Sequence, residues 1–285
     1  MKAKNKRQSK ESRLGRFRKR FVKKVRANKL SFSVYVLMGA ITVSVIVLTA
    51  VRRQFESTFT ACISLILFLL PTFVEESFRI KLPTALEIVA VLFVFCANIL
   101  GEIGAYYTRF PFWDDMLHYT SGFIFAAFGF ALVDIFNRHR DFDFHLSPLF
   151  LSIVALCFSV TVGALWELFE FGADLLLHTD MQKDTVITQI YSAELNPNGQ
   201  APVSIPHITE TVIKTADGAV YTLQGYLDIG LFDSMKDLLV DLAGALLFCI
   251  IGYFYTSNSA KGRIAKQFVP RVEGELFVHE DAKQL

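Results

Sequence analysis

The chain has 285 residues, 53% of them hydrophobic, and its 29 Lys and Arg against 27 Asp and Glu give a net charge of +2. The apolar residues fall in runs long enough for helices of about 20 residues to cross hydrocarbon, which excludes a soluble domain and predicts an all-α polytopic membrane bundle. The near-neutral total hides an asymmetry: residues 1–29 hold 14 Lys and Arg and the single acid Glu11, leaving 15 bases and 26 acids for the rest.

In chain order, residues 1–30 form a basic tail that abuts the first apolar run. Lys and Arg beside a first span set its orientation and attract anionic lipid, so the tail is read as a cytoplasmic topology signal and not as a nucleic-acid arm. Both the tail and the run after it are too long for a cleavable signal peptide, and none is expected. A six-helix transmembrane domain follows over 31–255, with spans at Ser31 to Val51, Thr58 to Val74, Leu82 to Tyr106, Asp115 to Ile135, Leu146 to Phe171 and Ser234 to Tyr255. Residues 256–285 form a C-terminal tail. The connections expected inside carry Arg79, Lys81, Arg138 and Arg140, and the tail carries Lys261, Arg263, Lys266, Arg271 and Lys283. The outer ones hold Arg52, Arg53, Arg109, Lys183 and Lys214. That bias places both termini in the cytoplasm and the protein in the bacterial cytoplasmic membrane as a multi-pass chain.

Between the second and third spans, Glu75, Glu76 and Arg79 resemble the paired-glutamate motif of membrane-embedded prenyl-type proteases. The spacing is one residue short, so they are read as an ion-pair group at the inner interface. Cys62, Cys96, Cys157 and Cys249 all lie within spans at spacings that fit neither a disulfide framework nor a zinc site. The one long connection, 178–232, is outer. Asn196-Pro197-Asn198-Gly199 is a turn cluster, and Thr211 to Thr215 with Ala219 to Leu223, joined through Asp217-Gly218, reads as a β-hairpin.

Chemistry-bearing residues cluster at three span ends. Asp114, Asp115 and His118 open the fourth span, Glu167, Glu170 and Asp174 close the fifth, and Asp233, Asp237 and Asp241 open the sixth. With both termini inside, all three clusters meet the outer face. At 3.6 residues per turn Asp115, His118 and Gly122 share one helix face, as do Gly163, Glu167, Glu170 and Asp174, and Asp233, Asp237, Asp241 and Gly244. Each stripe runs into a glycine, which lets helix backbones approach closely in lipid, so the stripes are expected to face one another.

Ordinary structural roles account for part of this. Asp114 and Asp233 sit where helix N-termini favour capping acids. Glu167 and Glu170 approach a helix C-terminus, where the dipole opposes an anion, and they need a cation, a proton or a donor. Asp241 is about 12 Å along the helix from Asp233, too deep for a cap. His118 is read either as a ligand or acid/base group or as a structural partner of Asp115 or of a neighbouring helix. Trp113 and Trp166 are assigned to an aromatic interface belt.

One imidazole among carboxylates suits a divalent cation, Mg²⁺, Mn²⁺, Ca²⁺ or, with the histidine, Zn²⁺. The metal set is Asp115, His118, Glu167, Glu170, Asp237 and Asp241, and His118, Glu167 and Glu170 are the acid/base candidates. Arg109 and Lys236 lie at the same edge and can contact a substrate phosphate, though surface solvation is the commoner role of such residues. No other cofactor is indicated, and the expected partners are the bilayer and its anionic lipids.

The strings Phe112-Trp113-Asp114-Asp115-Met116-Leu117-His118, Gly163-Ala164-Leu165-Trp166-Glu167-Leu168-Phe169-Glu170 and Asp233-Ser234-Met235-Lys236-Asp237-Leu238-Leu239-Val240-Asp241-Leu242-Ala243-Gly244 resemble the YjdF-type bacterial membrane proteins over roughly residues 80–255. They resemble the VanZ-like proteins more distantly, departing from that pattern at Glu170 and Asp241. The YjdF-type resemblance implies a helical membrane fold without an assigned reaction.

Three functions follow as expectations. The first is a cation-dependent protein that binds or processes an anionic envelope lipid, by hydrolytic or transfer chemistry. The second is a proton- or cation-coupled transporter, for which Glu87 and Asp134 are the few ionisable groups in the inner halves of the spans. The third is a non-catalytic assembly protein whose acids hold the bundle together.

Overall fold

The computed structural model describes residues 28–78, 80–137, 146–199, 201–257 and 267–272. The basic tail 1–27 lies outside these residues, as do Arg79, Arg138, Arg140, Lys261, Arg263, Lys266 and Lys283. Among the described residues, six helical segments are long and apolar enough to cross a membrane: Lys29–Val51, Phe55–Phe78, Thr84–Ile103, Trp113–Asp134, Pro148–Leu177 and Leu231–Thr256.

Helix α1 (Lys29–Val51) starts at Asn28, whose side chain accepts the Leu30 and Ser31 N–H groups. The second segment is broken into α2 (Phe55–Leu67) and α3 (Leu70–Phe78). Pro71 is the cause: its ring collides with the carbonyl four residues back, that of Leu67, where α2 ends. The third segment begins as α4 (Thr84–Val94) and continues as a π-helix, Phe95–Ile103, with Gly104 N donating to Ile99 O at 2.9 Å. Ala105 then takes a left-handed conformation, φ 56°, before the short α5 (Tyr106–Arg109).

The remaining long helices are α6 (Trp113–Asn137), α7 (Pro148–Leu177) and α8 (Leu231–Thr256). The chain divides into two compact units, the described residues up to Thr161 together with those from Val240 on, and Val162–Leu239.

The first unit has two apolar cores. One joins Tyr35 and Met38 of α1 to Ala61 and Phe68 of the second segment and Val91 and Phe95 of the third. The other gathers Leu86, Ala126, Phe130, Leu151, Ala245 and Phe248. Val269 completes this second core at 1% exposure, and the Phe268 ring lies edge-on to Phe123 at 5.4 Å. The residues after it form β8 (Arg271–Val272), antiparallel to β1 (Ile80–Lys81) with Ile80 opposite Val272. Part of the expected C-terminal tail is therefore packed against the bundle. Glu75, expected in an ion-pair group, accepts the Leu82 N–H at 2.7 Å.

In the second unit the connection after α7 contains short antiparallel pairs. The expected hairpin is present, β5 (Thr211–Lys214) with β6 (Val220–Leu223), Thr211 facing Leu223. Two further pairs are present: β2 (Thr185–Ile187) with β7 (Tyr226–Asp228), which carried no turn signal, and β3 (Ile190–Ser192) with β4 (Val203–Ile205), which flank the expected turn cluster at Asn196 to Gly199.

Candidate functional site

In the first unit the polar stripes of α6 and α8 meet, because both helices present glycine at the crossing. A methyl group on Gly122 would overlap the Asp241 carbonyl, and one on Gly244 the Tyr119 carbonyl. With no Cβ on either side the backbones touch. Ser159 Oγ of α7 donates to the Gly122 carbonyl at 2.8 Å and holds the same crossing.

That approach brings His118 to Asp241. His118 Nδ1 lies 3.4 Å from Asp241 Oδ2, and Ser121 Oγ donates to the other oxygen, Oδ1, at 2.5 Å. On the opposite edge of the ring, Nε2 is 3.7 Å from Asp114 Oδ1, one turn earlier on α6. His118 and Asp241 are buried, 7% and 4% exposed. The imidazole is thus flanked by a carboxylate on each nitrogen, with a serine fixing one of them.

The partners of His118 include Asp241 on a neighbouring helix, one of the two structural alternatives read from the sequence, and also Asp114 of its own helix. Two points differ from the sequence reading. Asp114, assigned only to capping, faces the ring. Ser121 had been left out, although it lies three residues after His118 and so on the same face. Arg109 ends α5 and is exposed. Trp113 packs edge-on against Tyr106 at 4.8 Å.

The second unit holds the other candidates. Glu167, Glu170 and Asp237 are buried, and Lys236 is exposed. Glu170 Oε1 accepts the Trp166 Nε1–H at 2.9 Å, so part of the help it needs near a helix C-terminus comes from its own helix. Asp174 accepts the Thr179 hydroxyl and the Met181 and Gln182 N–H groups at 2.7–2.8 Å, closing the turn after α7. Asp233 was expected to cap α8 and instead accepts the Lys183 N–H at 2.8 Å. The capping carboxylate is that of Asp228, which accepts the Phe232 N–H.

Gln182 carried no motif. Its Nε2 donates to Ser234 Oγ at 2.6 Å and contacts the Glu167 carbonyl at 3.5 Å, tying α7 to α8. Gly230, at φ 95°, makes room for it, since a Cβ there would sit 2.7 Å from that of Gln182.

Electrostatics outside the spans are resolved at two acids. Burial pushes the Asp184 carboxyl above the usual range, and the charges of Asp180, Asp228 and Asp174 push the same way. The Thr215 hydroxyl and then the Ala219 N–H hold Asp217 below it, at the tip of the β5–β6 hairpin.

The first unit therefore presents a histidine with both ring nitrogens near carboxylates. Chemically it can hold a proton or a cation. An uncharacterized protein of Thermotoga maritima is 24% identical over 107 residues, which are 38% of this chain and 53% of that protein. The chain thus spans about half the length of that relative. No solved structure matches. The family model described as "Predicted membrane protein (DUF2238)" matches residues 34–258, a stretch that takes in all three polar clusters, and the chain belongs to that family of membrane proteins of unknown function.

Proposed function

We propose that the protein holds a divalent cation at His118 and Asp114 and, through it, binds the phosphate of an anionic envelope lipid for hydrolytic or transfer chemistry. The observation that carries this reading is the placement of His118 between Asp114 and Asp241. The 3.7 Å between Nε2 and Asp114 Oδ1 is too long for a hydrogen bond. Two groups bound to one ion through bonds of about 2.0–2.2 Å stand roughly 3–4 Å apart, so this edge of the ring fits a shared cation.

Asp241 takes the orienting role. Its Oδ2 faces Nδ1, which fixes the tautomer that leaves Nε2 as a ligand, and the Ser121 hydroxyl fixes the carboxylate in turn. Asp115 is a further ligand on α6. Arg109 is assigned to the charge of the lipid phosphate, and within the second unit Glu167 and Glu170 are assigned to acid/base work. The bound cation would supply a Lewis acid for that phosphate. The basic tail and the distribution of bases support the cytoplasmic membrane as location, with both termini inside.

The test is thermal unfolding of purified protein in EDTA and in Mg²⁺, Mn²⁺ or Zn²⁺, followed by titration of a phosphate-bearing lipid. Stabilisation by one of these ions, lost in His118→Ala and needed for lipid binding, is the expected result. Identical melting in all four conditions would sink the proposal. It would leave His118 held between two carboxylates, an assembly device without an ion.

A further inference from the structure

The β5–β6 hairpin of the second unit carries an open edge. Its ladder keeps one register: Thr211 faces Leu223 and Ile213 faces Tyr221. Beyond the paired strands Thr215 N donates to Ala219 O at 3.0 Å, and Gly225 N donates to Thr209 O at 3.1 Å. In an antiparallel pair the N–H and C=O of one residue point to the same side, and successive residues alternate. The odd-numbered residues of β5 therefore turn their backbone groups toward β6, while Glu210, Val212 and Lys214 turn theirs away.

At its start this outer edge is covered, since Ile208 N donates to Thr188 O at 2.8 Å. From Glu210 to Lys214 it pairs with no other strand among the described residues. The side chains are open too. Val212 and Val220 lie on one face of the hairpin, Ile213 and Tyr221 on the other, and all are 44–60% exposed. Glu210 and Lys214 are exposed as well. A lone two-stranded hairpin is marginally stable in water, and an unpaired edge is a template for another strand.

The charges select that strand. Two copies of β5 laid antiparallel about a twofold axis at Val212 set Glu210 opposite Lys214 of the second copy, and Lys214 opposite its Glu210. Both are outward-turned residues, so their backbone groups join the new ladder while their side chains form ion pairs. Moving the axis to Thr211 or Ile213 sets Glu210 opposite Val212 or Ala216 and loses both charge pairs. Moving it to Glu210 or Lys214 sets like charges against each other, which is destabilising. The register about Val212 is self-complementary, as a closed dimer requires.

We propose that the β5 edge from Glu210 to Lys214 is a homodimerisation site that takes the same edge of a second copy of this chain. The two hairpins then form a single sheet, in which the Val212 side chains of the two copies lie side by side and Val220 extends the apolar face. The site is independent of the histidine centre.

The test is the mass of the detergent-solubilised full chain, measured by sedimentation velocity over a concentration series. A concentration-dependent dimer is expected. Glu210→Lys and Lys214→Glu each turn attractive cross-strand pairs into repulsive ones and should raise the dissociation constant about tenfold or more; the double exchange should restore it. Oxidative cross-linking reads the register. In this pairing the two Val212 Cα atoms stand about 5.5 Å apart, within disulfide reach, whereas the two Ile213 residues are diagonal neighbours about 7–8 Å apart. Val212→Cys should cross-link and Ile213→Cys should not, each compared with the wild type and its native cysteines. Every substituted position is exposed, so the variants leave the fold intact. A dimer indifferent to both charge changes, or cross-linking at Ile213 in preference to Val212, overturns the proposal. So does a monomer at every concentration, which would leave the edge to water or to a strand of a different protein.

Discussion

Replacing Gly244 by alanine tests the geometry on which the histidine centre rests. The added methyl group would overlap the Tyr119 backbone carbonyl, and no side-chain rotation can relieve a clash between a Cβ and a carbonyl. Helices α6 and α8 must then part by about 1 Å to restore ordinary packing. The 3.4 Å contact between His118 Nδ1 and Asp241 Oδ2 would open beyond hydrogen-bonding range. Alanine gains about 1 kcal/mol in helix propensity over glycine. Overpacking costs about 1–3 kcal/mol and the lost polar contact about 1 kcal/mol more, so a net loss of about 1–3 kcal/mol is expected. At about 2–4 °C per kcal/mol, melting should fall by roughly 2–12 °C. Gly39→Ala and Gly172→Ala serve as controls in the same thermal scan, because a methyl at either position meets nothing within 4 Å. They should melt at or slightly above the wild type. If Gly244→Ala melts with these controls, the close crossing does not hold the two helices together.

Three further outcomes follow from the connection regions. The raised Asp184 carboxyl favours its protonated form when folded, so its contribution to stability is present below the ordinary value of 3.8 and is lost as pH rises above it. Hydrogen exchange in the 178–232 connection should therefore quicken from low to neutral pH in the wild type, and less so in Asp184→Asn; identical profiles would contradict this. Gln182→Ala removes the bond to Ser234 and should cost about 1 kcal/mol, read as faster tryptic cleavage after Lys183. Ala105→Gly relieves a left-handed residue and should raise the melting temperature by an amount equivalent to as much as about 1 kcal/mol; a fall would show that the turn is not strained.

The features legible in the sequence are those with a strong local cause. Six apolar runs give six candidate spans, and the stripes Asp115-His118-Gly122 and Asp237-Asp241-Gly244 foretold that glycine would mark the crossing of α6 and α8. The β5–β6 hairpin followed from Asp217-Gly218. Other features depend on partners far away in the chain. Nothing local in Phe95–Ile103 distinguishes a π-helix from an α-helix, and the short β2–β7 pair has partners supplied only by the fold. Asp233 shows the limit of capping rules: a carboxylate in the first turn went to Lys183 while Asp228 took the cap. The assignment of Asp241 to orientation rather than ligation likewise needed Ser121, whose side chain means nothing until the two helices touch.

The pairing of β8 with β1, and the seating of Val269 in the core built by Leu86, Ala126 and Phe248, bear on how the protein is made. Spans inserted in order as the ribosome advances cannot finish that core, because its last pieces are encoded after the sixth helix. Completion waits until residue 272 has emerged and the end of the chain has come back to Ile80. A truncation just after Thr256 would leave all six helices able to insert and yet deliver a bundle with an open seam, prone to removal by membrane proteases. Reporter fusions meant to map the topology are therefore better joined beyond residue 272 than at the end of the last helix.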